Sequence, residues 1–236
     1  MNQIITQIRN ELKTNTNQQT KNQTKHFFKE TITCYGVKTS TVTKISSTYY
    51  QHIKTSPKET IFKLCEELFQ SNIMEEAFIA ANWLPKIADQ FQREDLTIFE
   101  HWLNRYIDNW AKCDTFCNHT IGDFMMKFPD CVETLFTWAV SSNRWVRRAA
   151  AVSLIVPAKK GLFLHETFKI CDLLLTDCDD LVQKGYGWLL KAETEKHPLE
   201  VLMYVVQNKA VMPRTALRYA IEKLTKEQKA LAMKKV

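Results

Sequence analysis

Asn143-Arg-Trp-Val-Arg-Arg-Ala-Ala-Ala-Val152 opens on a residue with capping chemistry and continues with apolar residues every three to four positions, the face of one amphipathic helix. Three other stretches share this design: Asn72-Ile-Met-Glu-Glu-Ala-Phe-Ile-Ala-Ala81, Asp108-Asn-Trp-Ala-Lys-Cys-Asp-Thr-Phe-Cys117 and Asp179-Asp-Leu-Val-Gln-Lys-Gly-Tyr-Gly-Trp188. Their starts, 72, 108, 143 and 179, are separated by 36, 35 and 36 residues, room for two antiparallel helices and their loops. That is the period of a helical-repeat solenoid. The fold expected is therefore all-α, an α-α superhelix of stacked repeats. Its concave face, where an extended partner can lie, is the place to look for function.

Composition agrees. Five Gly and six Pro in 236 residues leave too few turn formers for a sandwich, a barrel or a chain of βα units. With 45% apolar and 25% charged residues, global disorder and a polytopic membrane protein are both excluded. Seven scattered cysteines without a CxxC pair indicate neither a disulfide framework nor a zinc ribbon, and they fit a reducing compartment. The start, MNQIITQIRNELK, lacks the apolar core of a signal peptide, and no apolar run approaches about 18 residues, so a soluble cytoplasmic protein is expected. Residues 1–236 read as one domain. Residues 55–236 carry the repeats, and residues 1–54 form an N-terminal helical cap outside the period. Within the cap, Asn15 to Thr24 is expected to be a frayed linker ahead of an amphipathic pair around Phe27 and Ile45.

The net charge of +6 is unevenly placed. Residues 1–54 hold 8 basic and 2 acidic residues, residues 55–140 hold 7 and 14, and residues 141–236 hold 17 and 10. Both ends are basic and the middle is acidic. Arg144, Arg147 and Arg148, interleaved with Trp145, have the pattern of a phosphate-backbone contact, although the same pattern also suits a solvated face with surface ion pairs.

A spacing of four puts the Trp110 ring and the Asp114 carboxylate on one helix face, and a spacing of three does the same for Trp188 and Lys191. Arg148 stands at nearly the offset in its repeat that Asp114 has in its own. Similar offsets align in a solenoid, giving a constellation of two indoles, one carboxylate and a row of cations. Against this, the chain has six Trp, and a Trp on an amphipathic helix more often belongs to the core; an Asp early in a helix is often a cap.

At these residues the chain resembles the bacterial HEAT-like repeat DNA glycosylases that excise alkylated purines, the AlkD-like branch of the DNA alkylation repair family. The resemblance runs from the Gly36-Val37-Lys38-Thr39 turn to the C-terminal helices. Its most specific parts are Asn109-Trp110…Asp114, Trp145-Val146-Arg147-Arg148-Ala149 and Gly187-Trp188-Leu189-Leu190. It implies that Trp110, Asp114 and Trp188 form the catalytic cleft and that Arg148 holds the DNA backbone. Lys191 stands where well-known active members have Arg, which keeps the charge and loses the bidentate fork. Phe27 and Lys38 occupy positions resembling a Tyr and a Gln near the DNA in those members.

The chemistry needs few groups. A purine alkylated at N3 or N7 already carries positive charge and departs as a neutral base, so one carboxylate suffices to stabilise an oxocarbenium-like sugar and orient a water. Neither a metal nor any other cofactor is expected: Cys113, Cys117 and His119 lack a fourth ligand at regular spacing, and no phosphate loop accompanies Gly185 and Gly187, which are expected to allow close helix packing. A Schiff base through Lys184 or Lys191 would need a strongly lowered pKa. The partner expected is duplex DNA with alkylated purines, bound by a monomer with no obligatory protein partner in the bacterial cytosol or nucleoid. Two rivals remain. One is a DNA-binding protein of the same fold that recognises distorted or branched DNA without chemistry, and the other is a protein-interaction scaffold.

Overall fold

A computed structural model describes residues 3–234, and every regular element among them is helical. The only strand-like pairing among the described residues is one parallel bridge between Thr33 and Ile73. The chain divides into two compact units, Met1–Phe116 and Cys117–Val236.

The first unit contains α1 (Gln3–Thr14), α2 (Gln18–Phe27), α3 (Thr39–Ile53), α4 (Lys58–Gln70), α5 (Met74–Trp83), α6 (Asp95–Tyr106) and α7 (Trp110–Phe116), with a 3-10 segment Leu84–Gln90 after α5. Helices α3, α5 and α7 pack in sequence as one row, while α1, α4 and α6 lie behind it. Between the two layers sits an aromatic core: Phe69, Phe99, Trp102 and Phe116 are essentially buried, with ring centroids 5.4 to 6.3 Å apart. The polar edges of the buried indoles are satisfied, Trp102 Nε1–H donating to Glu66 at 3.0 Å and Trp83 Nε1–H to the Ser46 carbonyl at 2.8 Å.

The second unit contains α8 (Gly122–Lys127), α9 (Thr134–Ala139), α10 (Arg144–Val152), α11 (Ile155–Lys159), α12 (Leu164–Leu174), α13 (Asp180–Glu193), α14 (Pro198–Asn208), α15 (Arg214–Ala220) and α16 (Lys226–Met233). A π-helical turn, Cys117–Ile121, leads into α8, and a 3-10 turn, Pro129–Glu133, leads into α9. Helices α10, α13 and α15 pack side by side, backed by α9, α12 and α14.

The helices of the two front rows begin at residues 39, 74, 110, 144, 180 and 214, steps of 35, 36, 34, 36 and 34. The repeat is therefore present, and the same step reaches back to α3. At two starts the capping chemistry is as the sequence suggests: the Asn143 side chain accepts from Trp145 N–H at 2.9 Å, and the Asp179 side chain from Leu181 N–H at 2.9 Å and Val182 N–H at 3.2 Å. At the other two the register differs. Asn109, not Asp108, accepts from the Lys112 N–H at 3.0 Å, because the Asp108 carboxylate is drawn to the Lys112 ammonium at 2.9 Å. Asn72 lies before its helix at φ +56, a left-handed conformation that Asn tolerates, and turns its side chain to Lys112.

The stretch Asn15 to Thr24 is not a frayed linker. Asn17 caps α2 by accepting from Thr20 N–H at 2.8 Å, and its own N–H donates to the Gly36 carbonyl at 3.1 Å, so a local cap and a tertiary bond order a composition that by itself favours disorder.

Candidate nucleic-acid interface

Four of the six tryptophans, Trp83, Trp102, Trp138 and Trp145, are buried in the core; Trp110 and Trp188 are the two left half-buried. Trp110 opens α7. Its ring stacks on Phe28, with centroids 5.3 Å apart and planes 18° apart, and meets Phe27 edge-on at 5.9 Å. Phe27, the last residue of α2, is 72% exposed, so the aromatic group has a half-buried side and a face open to solvent. Asp114 follows Trp110 by four residues on the same helix and is buried, as is Lys112 between them.

Lys112 is fully engaged within the first unit. Its ammonium donates to the Asn72 side chain at 2.7 Å and pairs with Asp108 at 2.9 Å, which ties the start of α7 to the turn before α5. Lys38, exposed at the N-terminus of α3, follows a turn whose three N–H groups, those of Tyr35, Gly36 and Val37, all donate to buried Glu75.

In the second unit, Arg148 is buried on α10 and donates from Nη1 to the Leu181 carbonyl in the first turn of α13. Gly185 makes room for it: a Cβ there would lie 3.3 Å from Arg148 Cγ. Arg147 is committed to an intramolecular clamp, its guanidinium bonding Asp177 at 2.6 Å and the Ser141 and Ser142 carbonyls at 2.9 and 3.1 Å. Arg144 pairs with Asp179 at 2.7 Å and lies 4.6 Å over the Trp145 ring. The two arginines thus brace the turns that open α10 and α13. Trp188 and Lys191 share α13, where the Lys191 ammonium pairs with Glu222 at 2.8 Å and holds that carboxyl below its ordinary range. Two residues further on, Glu193 is fully buried against Thr167, and burial pushes its carboxyl up to about 7.

Gly187 serves packing: a Cβ there would meet the Ala216 carbonyl and Tyr219 Cβ at 2.8 Å, so α13 and α15 touch through it. Three participants escaped sequence reading. Phe28 is one of two adjacent Phe, and nothing in the spacing chooses between them. Nothing in local spacing marks Glu75 or Lys112 as buried; their burial depends on segments 40 residues away in sequence. Cys113 is fully buried and His119 is exposed.

A family model described as DNA alkylation repair enzyme matches residues 8–224. The chain belongs to the DNA alkylation repair enzyme family. Among solved structures, a protein described as a predicted DNA alkylation repair enzyme from Enterococcus faecalis superposes with a TM-score of 0.79 at 19% identity, covering 89% of this chain and 97% of its own. The smu.31 protein of Streptococcus mutans superposes with a TM-score of 0.55, also at 19% identity, covering 84% of this chain and 98% of its own. At such identity the likeness concerns the fold. No curated protein sequence matches the chain. Family membership supports a role in the repair of alkylation damage, with DNA as the substrate. No helix among the described residues is long and apolar enough to cross a membrane.

Proposed function

We propose that this member of the DNA alkylation repair family is a monofunctional DNA glycosylase that hydrolyses the N-glycosidic bond of N3- and N7-alkylated purines in duplex DNA. The observation that carries the reading is the pairing on α7 of a half-buried indole, Trp110, with a buried carboxylate one turn later, Asp114. An anion shielded from water acts strongly on a developing positive charge, and an indole face attracts a cationic sugar or base by about 0.5–2 kcal/mol.

In the reaction, the bond from C1′ of the sugar to the purine nitrogen breaks, and the bonding pair leaves with the base, whose positive charge it cancels. Asp114 faces the electron-poor sugar and accepts a hydrogen bond from the attacking water; the new C1′–O bond forms as the water's proton passes to the carboxylate or to solvent. An aromatic contact to the alkylated DNA is also assigned to Trp188, on α13 of the second unit. Contacts to the duplex are assigned to Arg148, Lys191, Arg144, Lys38 and Phe27, while Arg147 serves the turn at residues 141–142. The enzyme is read as a monomer acting without a metal or cofactor in the bacterial cytosol.

The test is single-turnover release of 7-methylguanine and 3-methyladenine from methylated duplex DNA. Asp114→Asn should lower the rate by about 10²–10³-fold with the affinity for duplex DNA nearly unchanged; unchanged turnover overturns the assignment. The second reading, a relative that binds distorted DNA without chemistry, draws support from the engagement of Lys191 with Glu222. Binding without release by the wild type would select it.

A further inference from the structure

The segment at residues 28–38, between α2 and α3, has no helix of its own, yet the first unit holds it along its length. Phe28 packs with Phe78 against buried Ile32, Cys34 and Met74. Thr33 bridges to Ile73, and its carbonyl accepts from Met74 N–H at 3.0 Å. Buried Glu75 then accepts from three successive N–H groups, Tyr35 at 3.0 Å, Gly36 at 2.8 Å and Val37 at 3.0 Å. The next residue, Glu76, is fully buried and accepts from the Tyr35 hydroxyl at 2.7 Å while pairing with Arg9 at 3.0 Å. Gly36 sits at φ +88, where a Cβ would come within 2.5 Å of Lys21 Cβ and 2.8 Å of the Asn17 carbonyl. The segment starts at the ring stacked on Trp110 and ends at Lys38, so one turn of α5 controls what the segment presents at both ends.

We propose that Glu75 is a positioning residue for the candidate site: by gathering the three N–H groups it fixes residues 28–38, and through Phe28 it sets the ring plane of Trp110. The inference rests on the reading of Trp110 as a substrate-facing residue. Consecutive N–H groups converging in a turn form an anion cradle. A carboxylate fills it with two acceptor-only oxygens; an amide of the same shape replaces one oxygen with a donor aimed at a donor. Glu75→Gln therefore opens the cradle without changing side-chain volume. The Phe28–Trp110 stack then loses its fixed partner, and an indole free to rotate no longer presents one face beside Asp114.

The experiment compares the wild type, Glu75→Gln, Phe28→Ala and Trp110→Phe, each checked for retained helicity by circular dichroism. Amide hydrogen exchange reads the cradle. Trp110 emission, obtained by subtracting the Trp110→Phe protein, reads the stack, and single-turnover 7-methylguanine release at saturating enzyme reads the site. Glu75→Gln should accelerate exchange at residues 35–37, shift the Trp110 emission and lower the saturating rate by about tenfold or more, with duplex affinity changing far less. Phe28→Ala should reproduce the emission and rate changes while leaving exchange at 35–37 slow, and an unaltered emission or rate in it overturns the proposal even if Glu75→Gln fails to fold. An unaltered Trp110 emission, an emission change that persists in the Trp110→Phe background, or a loss of affinity without a loss of rate overturns the proposal. If the wild type releases no base, the glycosylase reading fails, and the emission and exchange measurements still decide for or against Glu75.

Discussion

Glu193 and Glu75 are both buried glutamates, and their surroundings give them opposite uses. Glu75 meets three N–H donors and serves as a structural acceptor. Glu193 has the Thr167 hydroxyl at 3.4 Å and His197 at 3.6 Å, with Glu200 adding repulsion, so burial dominates and the neutral form is favoured up to about pH 7. The linkage sign follows. The folded carboxyl holds its proton where the unfolded one, near 4.5, has lost it, so this contribution to stability is complete below about pH 4.5 and lost as the pH rises through about 7. Glu193→Gln removes the titration. Its Tm relative to the wild type should rise between pH 5 and pH 8, by about 2 °C or more, measured by thermal unfolding in matched buffers; a parallel pair of curves would show that Glu193 does not titrate in this range. At single positions, spacing picked out Trp110, Asp114, Trp188 and Lys191 as facing pairs. It left both indoles open between core and surface, because a period of 3.6 places a residue on a face without saying what covers that face.

Helix α13 shows how elements set the positions of side chains. Its two glycines make room for different neighbours. Gly187 faces the Ala216 backbone and Tyr219 Cβ of α15 at 2.8 Å, neither of which can swing aside; Gly185 faces the Arg148 Cγ at 3.3 Å, a contact half an ångström longer. Gly187→Ala should therefore force the helices apart and cost about 1–3 kcal/mol, lowering Tm by roughly 2–4 °C per kcal/mol in denaturation scans. Gly185→Ala should cost distinctly less, since the longer contact needs a smaller displacement and Ala is the better helix former; equal losses would refute this assignment of partners. The repeat was legible because capping residues recur with the helices they start, as at Asn143 and Asp179. The boundary errors at Asp108 and Asn72 share one origin: Lys112 attracts both side chains, and a lysine's tertiary partners leave no mark on local spacing.

Across the whole molecule, the charge pattern is the property that matters for DNA. The basic stretches at residues 1–54 and 141–236 contain the candidate phosphate contacts, and the stretch at 55–140 is acidic. Part of the basic charge is engaged inside the protein: Arg9 with Glu76, Lys58 with Asp95 and Arg147 with Asp177. Counting basic residues therefore overstates the number that release counterions. Lys38→Ala, which removes an exposed cation, should reduce the slope of log affinity against log salt by about one, whereas Lys58→Met, which removes a buried paired one, should leave the slope unchanged. Filter binding or anisotropy across a salt series on duplex DNA would check both, and equal slopes for Lys38→Ala and the wild type would remove Lys38 from the interface.

The all-α class, the period near 35 residues, the caps at Asn143 and Asp179 and the aromatic-acid pair on α7 follow from residue types at short, regular separations, where helix geometry converts spacing into position. Folding decided the rest: that Trp110 and Trp188 stay outside the core that takes the other four tryptophans, that Arg147 is spent on Asp177, that Asn15 to Thr24 is ordered, and that Glu75 collects the turn at Tyr35–Val37. Each of these depends on desolvation or on a bond between segments distant in sequence. Such interactions are created only when the chain packs, and their strength comes from the water that packing excludes.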